Sequence, residues 1–172
     1  MTAETLTATR AASTFPTFTP PGSGILCAAY GQYTIAAAVE TGDIFQMCKV
    51  PAGAVILGGW FRAVDIDTGT EALDMDIGWA ANGGSGTFDA VDTDGLGNLG
   101  TLTGDVFAAG NLAFEAAGLV YPLAGQLSIG KFPAFTRETK IQVYVNTASN
   151  AGHTGLMSVC VFYVCIDPAS VT

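Results

Sequence analysis

Charged residues are scarce in this chain of 172 residues, and basic residues are the scarcest. Only 12% of positions carry Asp, Glu, Lys or Arg, about half the usual share in a soluble domain. Six Lys and Arg stand against fifteen Asp and Glu, for a formal charge of −9. Nucleic-acid binders need clustered bases and helical bundles are rich in Glu and Lys, so both classes are disfavoured. The 49% of hydrophobic residues excludes a disordered chain.

The sequence also lacks a long hydrophobic run. The longest, Val159–Ile166, has eight residues, whereas a helix needs roughly 20 to cross a bilayer. We therefore expect no membrane partner. The N-terminus has no charged region followed by an apolar core, so no signal peptide is predicted and synthesis in the cytoplasm is expected.

The cysteines and the single histidine, His153, match no metal-binding pattern. The spacing of Cys27, Cys48, Cys160 and Cys165 fits neither a zinc nor a haem motif. We expect buried free thiols that pack as small apolar side chains, with a disulfide framework as the minority alternative. Cys160 and Cys165 differ by an odd number of positions, so in a strand they would point to opposite faces.

The beginning of the chain differs in composition from the rest. Residues 1–24 include nine Thr or Ser together with Pro16, Pro20 and Pro21. This composition favours extended backbone without a core of its own, which predicts an N-terminal arm. The arm either lies on a neighbouring subunit or frays as a tail. Residues 25–172 are predicted to form a single domain.

Strand signals recur through this domain, and no segment keeps the apolar spacing of a helix over three turns. The pattern predicts an all-β fold, an antiparallel β-sandwich of jelly-roll-like form. The predicted strands lie at residues 26–40 (one or two strands), 43–50, 54–67, 72–80, 126–132, 140–146 and 156–166. Residues 81–125 are predicted to be a long irregular excursion with a short helix at Gly104–Asn111.

A hairpin is predicted around the turn Thr68–Glu71. Apolar residues alternate with carboxylates on both sides of this turn. A four-residue loop would pair Val64 with Met75 and Asp65 with Asp74. Every apolar side chain would then lie on one face and every carboxylate on the other. We expect the carboxylate face to be solvated.

Acidic residues are concentrated near this hairpin. Eight acids and no base lie between Asp65 and Asp94. Carboxylates beside Gly-rich loops suit Ca²⁺, which takes six to eight oxygen ligands. The candidate ligands are Asp65, Asp67, Asp74 and Asp76. We favour a solvated acidic face without a metal, and a loose Ca²⁺ site is the alternative. No cofactor is predicted.

No catalytic residues are predicted. Paired carboxylates could serve glycoside hydrolysis, but these acids lie on a face expected to be exposed, where neither pKa need be shifted. His153 lies in a Gly-containing turn, and the chain has neither a Gly-x-Ser-x-Gly motif nor a phosphate-binding loop. An enzyme acting through Asp65, Asp74 or His153 therefore ranks behind a binding or structural role.

Val159–Ile166 is apolar at every position. A strand that is apolar on both faces must be covered on both, by a second sheet or by another subunit. The surface is also poor in Lys and Glu, as protein interfaces are. Both observations predict a homo-oligomer.

The segment Cys48–Trp79 contains a Pro-x-Gly turn, a strand, a Thr-Gly-Thr turn and a strand that ends in Ile-Gly-Trp. With Phe88–Ala90, Gly104–Asn111 and Tyr121–Leu123, it resembles small virion structural proteins of tailed bacteriophages, over residues 44–145. Those proteins are jelly-roll-like and typically decorate or cement the capsid as trimers. The resemblance implies a non-enzymatic homotrimer on the capsid surface whose partner is the major capsid protein. It carries over no functional residues.

A protein of another class stays open as the alternative. A head-fibre or adhesin module that binds Ca²⁺ or glycans would also suit an acidic β-sandwich. Loss of thermal stability in a chelator, or binding of sugars, would indicate such a module.

Overall fold

The computed structural model of the chain describes residues 3–17, 24–64, 73–97, 120–148 and 154–166. These residues form nine strands, a 3₁₀ turn and one short helix. The strands are β1 (Thr5–Thr7), β2 (Cys27–Ile35), β3 (Ile44–Val50), β4 (Ala54–Ala63), β5 (Asp74–Trp79), β6 (Asp92–Gly97), β7 (Val120–Pro122), β8 (Thr139–Thr147) and β9 (Gly155–Cys165). The 3₁₀ turn is Thr9–Ala11, and the helix, α1, is Gly125–Ser128.

The strands form two sheets. The five-stranded sheet has the order β1-β3-β8-β5-β6, and the four-stranded sheet has the order β2-β9-β4-β7. Neighbouring strands are antiparallel except β1 and β3, which are parallel. The predicted all-β sandwich is confirmed. No helix among the described residues is long and apolar enough to span a membrane.

The core lies between the two sheets because alternate residues of each strand point inward. On β9 these are Met157, Val159, Val161 and Tyr163, all buried in one hydrophobic cluster. The five-stranded sheet contributes Trp79, which is among the largest fully buried side chains. Its indole nitrogen donates a 2.9 Å hydrogen bond to the backbone carbonyl of Ala90.

The predicted pairing of β4 with β5 is wrong, because the two strands belong to different sheets. The amide of Val64 donates a 3.0 Å hydrogen bond to the carbonyl of Leu156, whereas Met75 pairs with Val145 on β8. Alternating apolar residues show which side of a strand faces the core, but a hairpin and a crossing between sheets produce the same alternation. Residues 65–72, which include the predicted turn, lie outside the described residues.

Other differences concern short elements. Residues 126–132, predicted as a strand, contain the end of α1 and a turn in which Gly130 has a φ of 76°. The strands β1 and β7 were not predicted because they have only three residues each, and β6 because its sequence Asp-Thr-Asp-Gly-Leu-Gly contains one large apolar residue and no alternation. The predicted helix at Gly104–Asn111 lies outside the described residues.

Part of the N-terminal segment lies on its own chain. β1 pairs with the first half of β3, and the amide of Ala8 donates a 2.8 Å hydrogen bond to the carbonyl of Gln46. The Arg10 guanidinium then lies 5.5 Å from the ring centre of Phe15 and 5.9 Å from that of Tyr30. The segment thus reaches from the five-stranded sheet to β2. The domain boundary at residue 24 and a contact with a neighbouring subunit stay predictions.

Candidate interaction surface

The outer face of the five-stranded sheet is polar. On it, Lys140 Nζ donates a 2.8 Å hydrogen bond to Gln46 Oε1, which also accepts from Thr7 Oγ1 at 3.3 Å. Asn146 Nδ2 donates to Asp76 Oδ2 at 2.6 Å. These bonds join side chains of neighbouring strands, so the polar groups of this face are satisfied largely by one another.

Two of the four candidate calcium ligands, Asp74 and Asp76, lie among the described residues. Asp74, opposite Thr147, is half-buried, and Asp76 is only 4% exposed. The expectation that these carboxylates are solvated is therefore wrong for Asp76. The reason is that β5 lies between β8 and β6, so neighbouring strands flank its outward side chains. Asp65 and Asp67 lie outside the described residues. Within the described ranges no three His, Cys, Asp or Glu side chains gather around one point, and a Ca²⁺ site stays a prediction.

Asp89 holds two loops together. Its buried carboxylate, 2% exposed, accepts hydrogen bonds from Asn82 Nδ2 and the Gly86 amide, both at 2.7 Å. Thr136 donates to it through both its amide, at 3.0 Å, and its hydroxyl. Burial alone would raise the pKa of Asp89, but the bonds from Thr136, Asn82 and Gly86 outweigh it and lower that pKa. This carboxylate is a structural anchor.

Asp92 and Asp94 form an acidic pair at the start of β6. The pKa of Asp92 is raised to about 6, first by burial, then by its hydrogen bond with Asp94 and the charge of that neighbour. Asp94 itself is exposed. Two adjacent carboxylates of this kind resist being ionised together, so Asp92 takes up a proton at mildly acidic pH.

All four cysteines are free thiols, and three of them are buried, as expected. Burial raises the pKa of Cys48 to about 12, helped by the charge of Cys160 and opposed by that of Arg10. Burial also raises the pKa of Cys160 and of Cys165. Cys165 belongs to the core between the sheets, whereas Cys160 is absent from that cluster and lies on the opposite face of β9, as predicted. These thiols are poorly reactive.

The outer face of the four-stranded sheet is apolar and aromatic. Phe162, at its centre on β9, is 38% exposed, and Leu57, the extra residue of a β-bulge on β4, is 43% exposed. Trp60 and Tyr30 lie in register with Cys160 on either side of β9. We call this surface the apolar face, although a short polar row crosses it. Its residues are Ala28, Tyr30, Gln32, Val55, Leu57, Trp60, Arg62, Val120, Pro122, Ser158, Cys160, Phe162 and Val164.

The apolar face carries almost no charge. The four strands β2, β4, β7 and β9 contain no Asp or Glu, and their only charged residue is Arg62. Arg10 adds a second cation beside Tyr30. The acids of the five-stranded sheet lie instead on β5 and β6. The protein is therefore a β-sandwich with one polar and one apolar outer face, an arrangement suited to binding another protein surface.

The same sandwich occurs in solved structures of phage capsids. The chain is similar to a chain in the capsid of Ralstonia phage GP4, with a TM-score of 0.66 and 20% identity over 95% of this chain and 99% of that one. A chain of the Cyanophage Pam1 capsid asymmetric unit matches with a TM-score of 0.62 and 20% identity, over 90% and 97% of the two chains.

A chain in the acid-stable capsid of Helicobacter pylori bacteriophage KHP30 is more distant, with a TM-score of 0.50 and 12% identity over 83% and 90% of the chains. No protein-family model matches the sequence, and no curated protein matches it. At these identities the likeness shows a shared fold, which extends over nearly the whole of each chain.

The sequence predicts that an apolar outer face exists but does not predict which residues form it. The strand at 159–166 is apolar on both sides, which indicates that its outer side must also be covered by protein. The outward positions of Tyr30 and Trp60 depend on strand register, which the sequence does not encode locally. By sequence Asp89 belongs to the acidic cluster, and only the fold shows that Thr136, 47 positions away, donates a hydrogen bond to it.

Proposed function

We propose that the protein is a non-enzymatic structural component of a bacteriophage virion. It is a decoration or cement subunit that lies on the capsid surface, binds the major capsid protein and stabilises the head lattice. It acts as a homotrimer made in the host cytoplasm. No catalytic residue and no cofactor enter this proposal.

Two independent lines support the proposal. The first is the fold, shared over 95% of this chain with a chain of a phage capsid. The second is the sequence pattern of Cys48–Trp79 with its resemblance to small virion proteins.

The observation that carries the proposal is the division of charge between the two outer faces. One sheet carries Asp76 and Lys140, each hydrogen-bonded to an amide side chain, together with the other acids of β5 and β6. The other sheet presents Phe162 and Trp60 on strands whose only charged residue is Arg62. A free monomer with such a face would be poorly soluble. A subunit of a lattice keeps that face covered and the polar one towards solvent or polar partners.

Binding to empty shells tests this function. Purified protein is added to capsid shells of the same phage that lack it, and the shells are then pelleted and heated. The protein should co-sediment in a saturable ratio. Because a ligand that binds only the intact lattice stabilises it, the rupture temperature should rise with protein concentration.

An unrelated acidic β-sandwich of similar size serves as the control. It should neither pellet with the shells nor change their rupture temperature. Shells that fail to bind the protein and rupture at the same temperature with and without it would contradict the proposed function.

A further inference from the structure

We propose that the apolar face of the four-stranded sheet is the contact surface between copies of this chain. The inference deepens the proposed function and rests on it for the expectation of a homo-oligomer. It assigns a location to the contact and names its occupant, which is the apolar face of a second copy.

The first argument is that the fold buries only one side of β9 completely. The inward side chains of β9, such as Val159 and Val161, are fully covered by the second sheet. The outward Phe162 lies in register with Ala28 on β2 and Gly58 on β4 and is still 38% exposed, and Val164 lies in register with Val55. Since a large apolar side chain gains stability from losing water contact, a further layer above Phe162 would be favoured.

The second argument is electrostatic and selects the occupant. A chain with a charge of −9 repels its own copies wherever carboxylates face each other. The apolar face is built from strands without a carboxylate, and its charged group is the cationic Arg62. Two copies that meet through this face keep the acids of β5 and β6 on the far side of each sandwich. No other sheet face of the described chain permits such an approach.

The third argument is size and composition. The four strands have nine, ten, three and eleven residues, and at about 3.3 Å per residue and 4.8 Å between strands they present roughly 500 Å² in projection. This is more than half of the roughly 800 Å² that each partner contributes to a standard interface. Trp, Tyr and Arg are the residue types that contribute most to binding, and Trp60, Tyr30 and Arg62 are here. In a trimer, the β2 side of one face would meet the β4 side of the next.

Sedimentation of matched variants tests the inference. Phe162→Glu and Leu57→Glu each place a charge on an exposed position of the apolar face. The wild type should sediment as an oligomer, and both variants should sediment as monomers at the same concentration. We expect their dissociation constants to rise by about tenfold or more. Ile129→Glu is the control, because Ile129 is exposed at the end of α1, which lies against β6 of the five-stranded sheet.

Folding is monitored by far-UV circular dichroism, and each variant must match the wild type. A wild type that is monomeric at high micromolar concentration overturns the inference, as does a Phe162→Glu protein that keeps the oligomeric mass. A monomeric wild type whose Phe162→Glu variant no longer pellets with shells would assign the face to the capsid lattice. Failure of all proteins to bind shells, with oligomers intact, counts against the proposed function alone.

Discussion

The rings of Tyr30 and Trp60 lie 5.8 Å apart, centre to centre, on the two strands that flank β9. Both residues are in register with Cys160. The thiol points away from the core between the sheets, yet it is only 7% exposed. Cys160 is therefore buried by neighbouring aromatic side chains of the apolar face rather than by the second sheet.

Removal of one ring should expose this thiol. In Trp60→Ala, Cys160 loses one of its two aromatic neighbours, and we expect its alkylation by iodoacetamide to become about tenfold faster because reactivity follows exposure. The measurement is mass spectrometry of the labelled peptide over time. The double variant Trp60→Ala with Cys160→Ser should lose the added label. Equal labelling rates in the wild type and the single variant would contradict the proposed packing.

Asp89 should be a major contributor to stability. Asp89→Ala removes the acceptor for the buried donors of Asn82, Gly86 and Thr136, and we expect it to lower the free energy of unfolding by about 2–4 kcal/mol. Urea denaturation measures the loss. Thr87→Ala, at an exposed position of the same loop, should change stability by less than about 0.5 kcal/mol.

The same residue predicts a loss of stability in acid. Because the folded-state pKa of Asp89 lies below its ordinary 3.8, the unfolded chain binds the proton more readily. The stabilisation is complete above that ordinary value and is lost as pH falls towards the folded pKa. The destabilisation by Asp89→Asn should therefore shrink below about pH 4. A difference that stays constant between pH 7 and pH 3 would contradict this assignment.

Asp92 should have the opposite pH dependence. Its folded pKa of about 6 lies above the ordinary 3.8, so the folded protein binds the proton more readily, and stability falls as pH rises between these values. Asp92→Asn removes that cost. We expect it to raise the melting temperature at pH 7.5 by about 2–4 °C, for a gain of about 1 kcal/mol after solvent screening.

Scanning calorimetry at two pH values separates this effect from a simple packing change. Near pH 4 the wild-type Asp92 is already protonated in the fold, and the advantage of Asp92→Asn should largely disappear. Asp94→Asn should give a smaller gain at pH 7.5, since it removes one cause of the raised pKa and leaves burial in place. A gain of equal size at both pH values would refute the assignment.

Two glycines make a matched test of close packing. A Cβ atom at Gly31 would collide with the backbone carbonyl of Met47, where β2 lies against β3, whereas one at Gly58 would meet nothing within 4 Å. We expect Gly31→Ala to cost about 3 kcal/mol or more and Gly58→Ala less than about 0.5 kcal/mol. Comparable midpoints in urea for the two variants would show that β2 and β3 are not held this closely.

The sequence was informative where many apolar residues lie between clear turn signals. β3, β8 and β9 lie within one residue of their predicted ends, because apolar alternation or an unbroken apolar run bounded by turn residues is a strong strand signal. The sequence does not show which strand pairs with which. Val64 and Met75 share a pattern but belong to different sheets, and only the closing of the whole sandwich decides between them.

The candidate site was predictable in kind and not in detail. The strand that contains Phe162 is apolar on both sides, which indicates an outer surface that another protein layer must cover. Its other aromatic members, Tyr30 and Trp60, come from β2 and β4, which are separated along the chain by β3. Likewise, nothing near Asp76 in the sequence indicates that Asn146 lies against it. Contacts over such sequence distances arise from register, which is a property of the folded sheets.

The short strand β1 forms one edge of the five-stranded sheet. An exposed strand edge invites another chain to add to the sheet, and short strands and turns are common ways to block it. Here Thr5–Thr7 occupies the backbone of Ile44–Gln46, and the 3₁₀ turn at Thr9–Ala11 packs against the same strand. Open-ended, amyloid-like growth from this edge is thereby discouraged, which agrees with the face-to-face contact between copies proposed above.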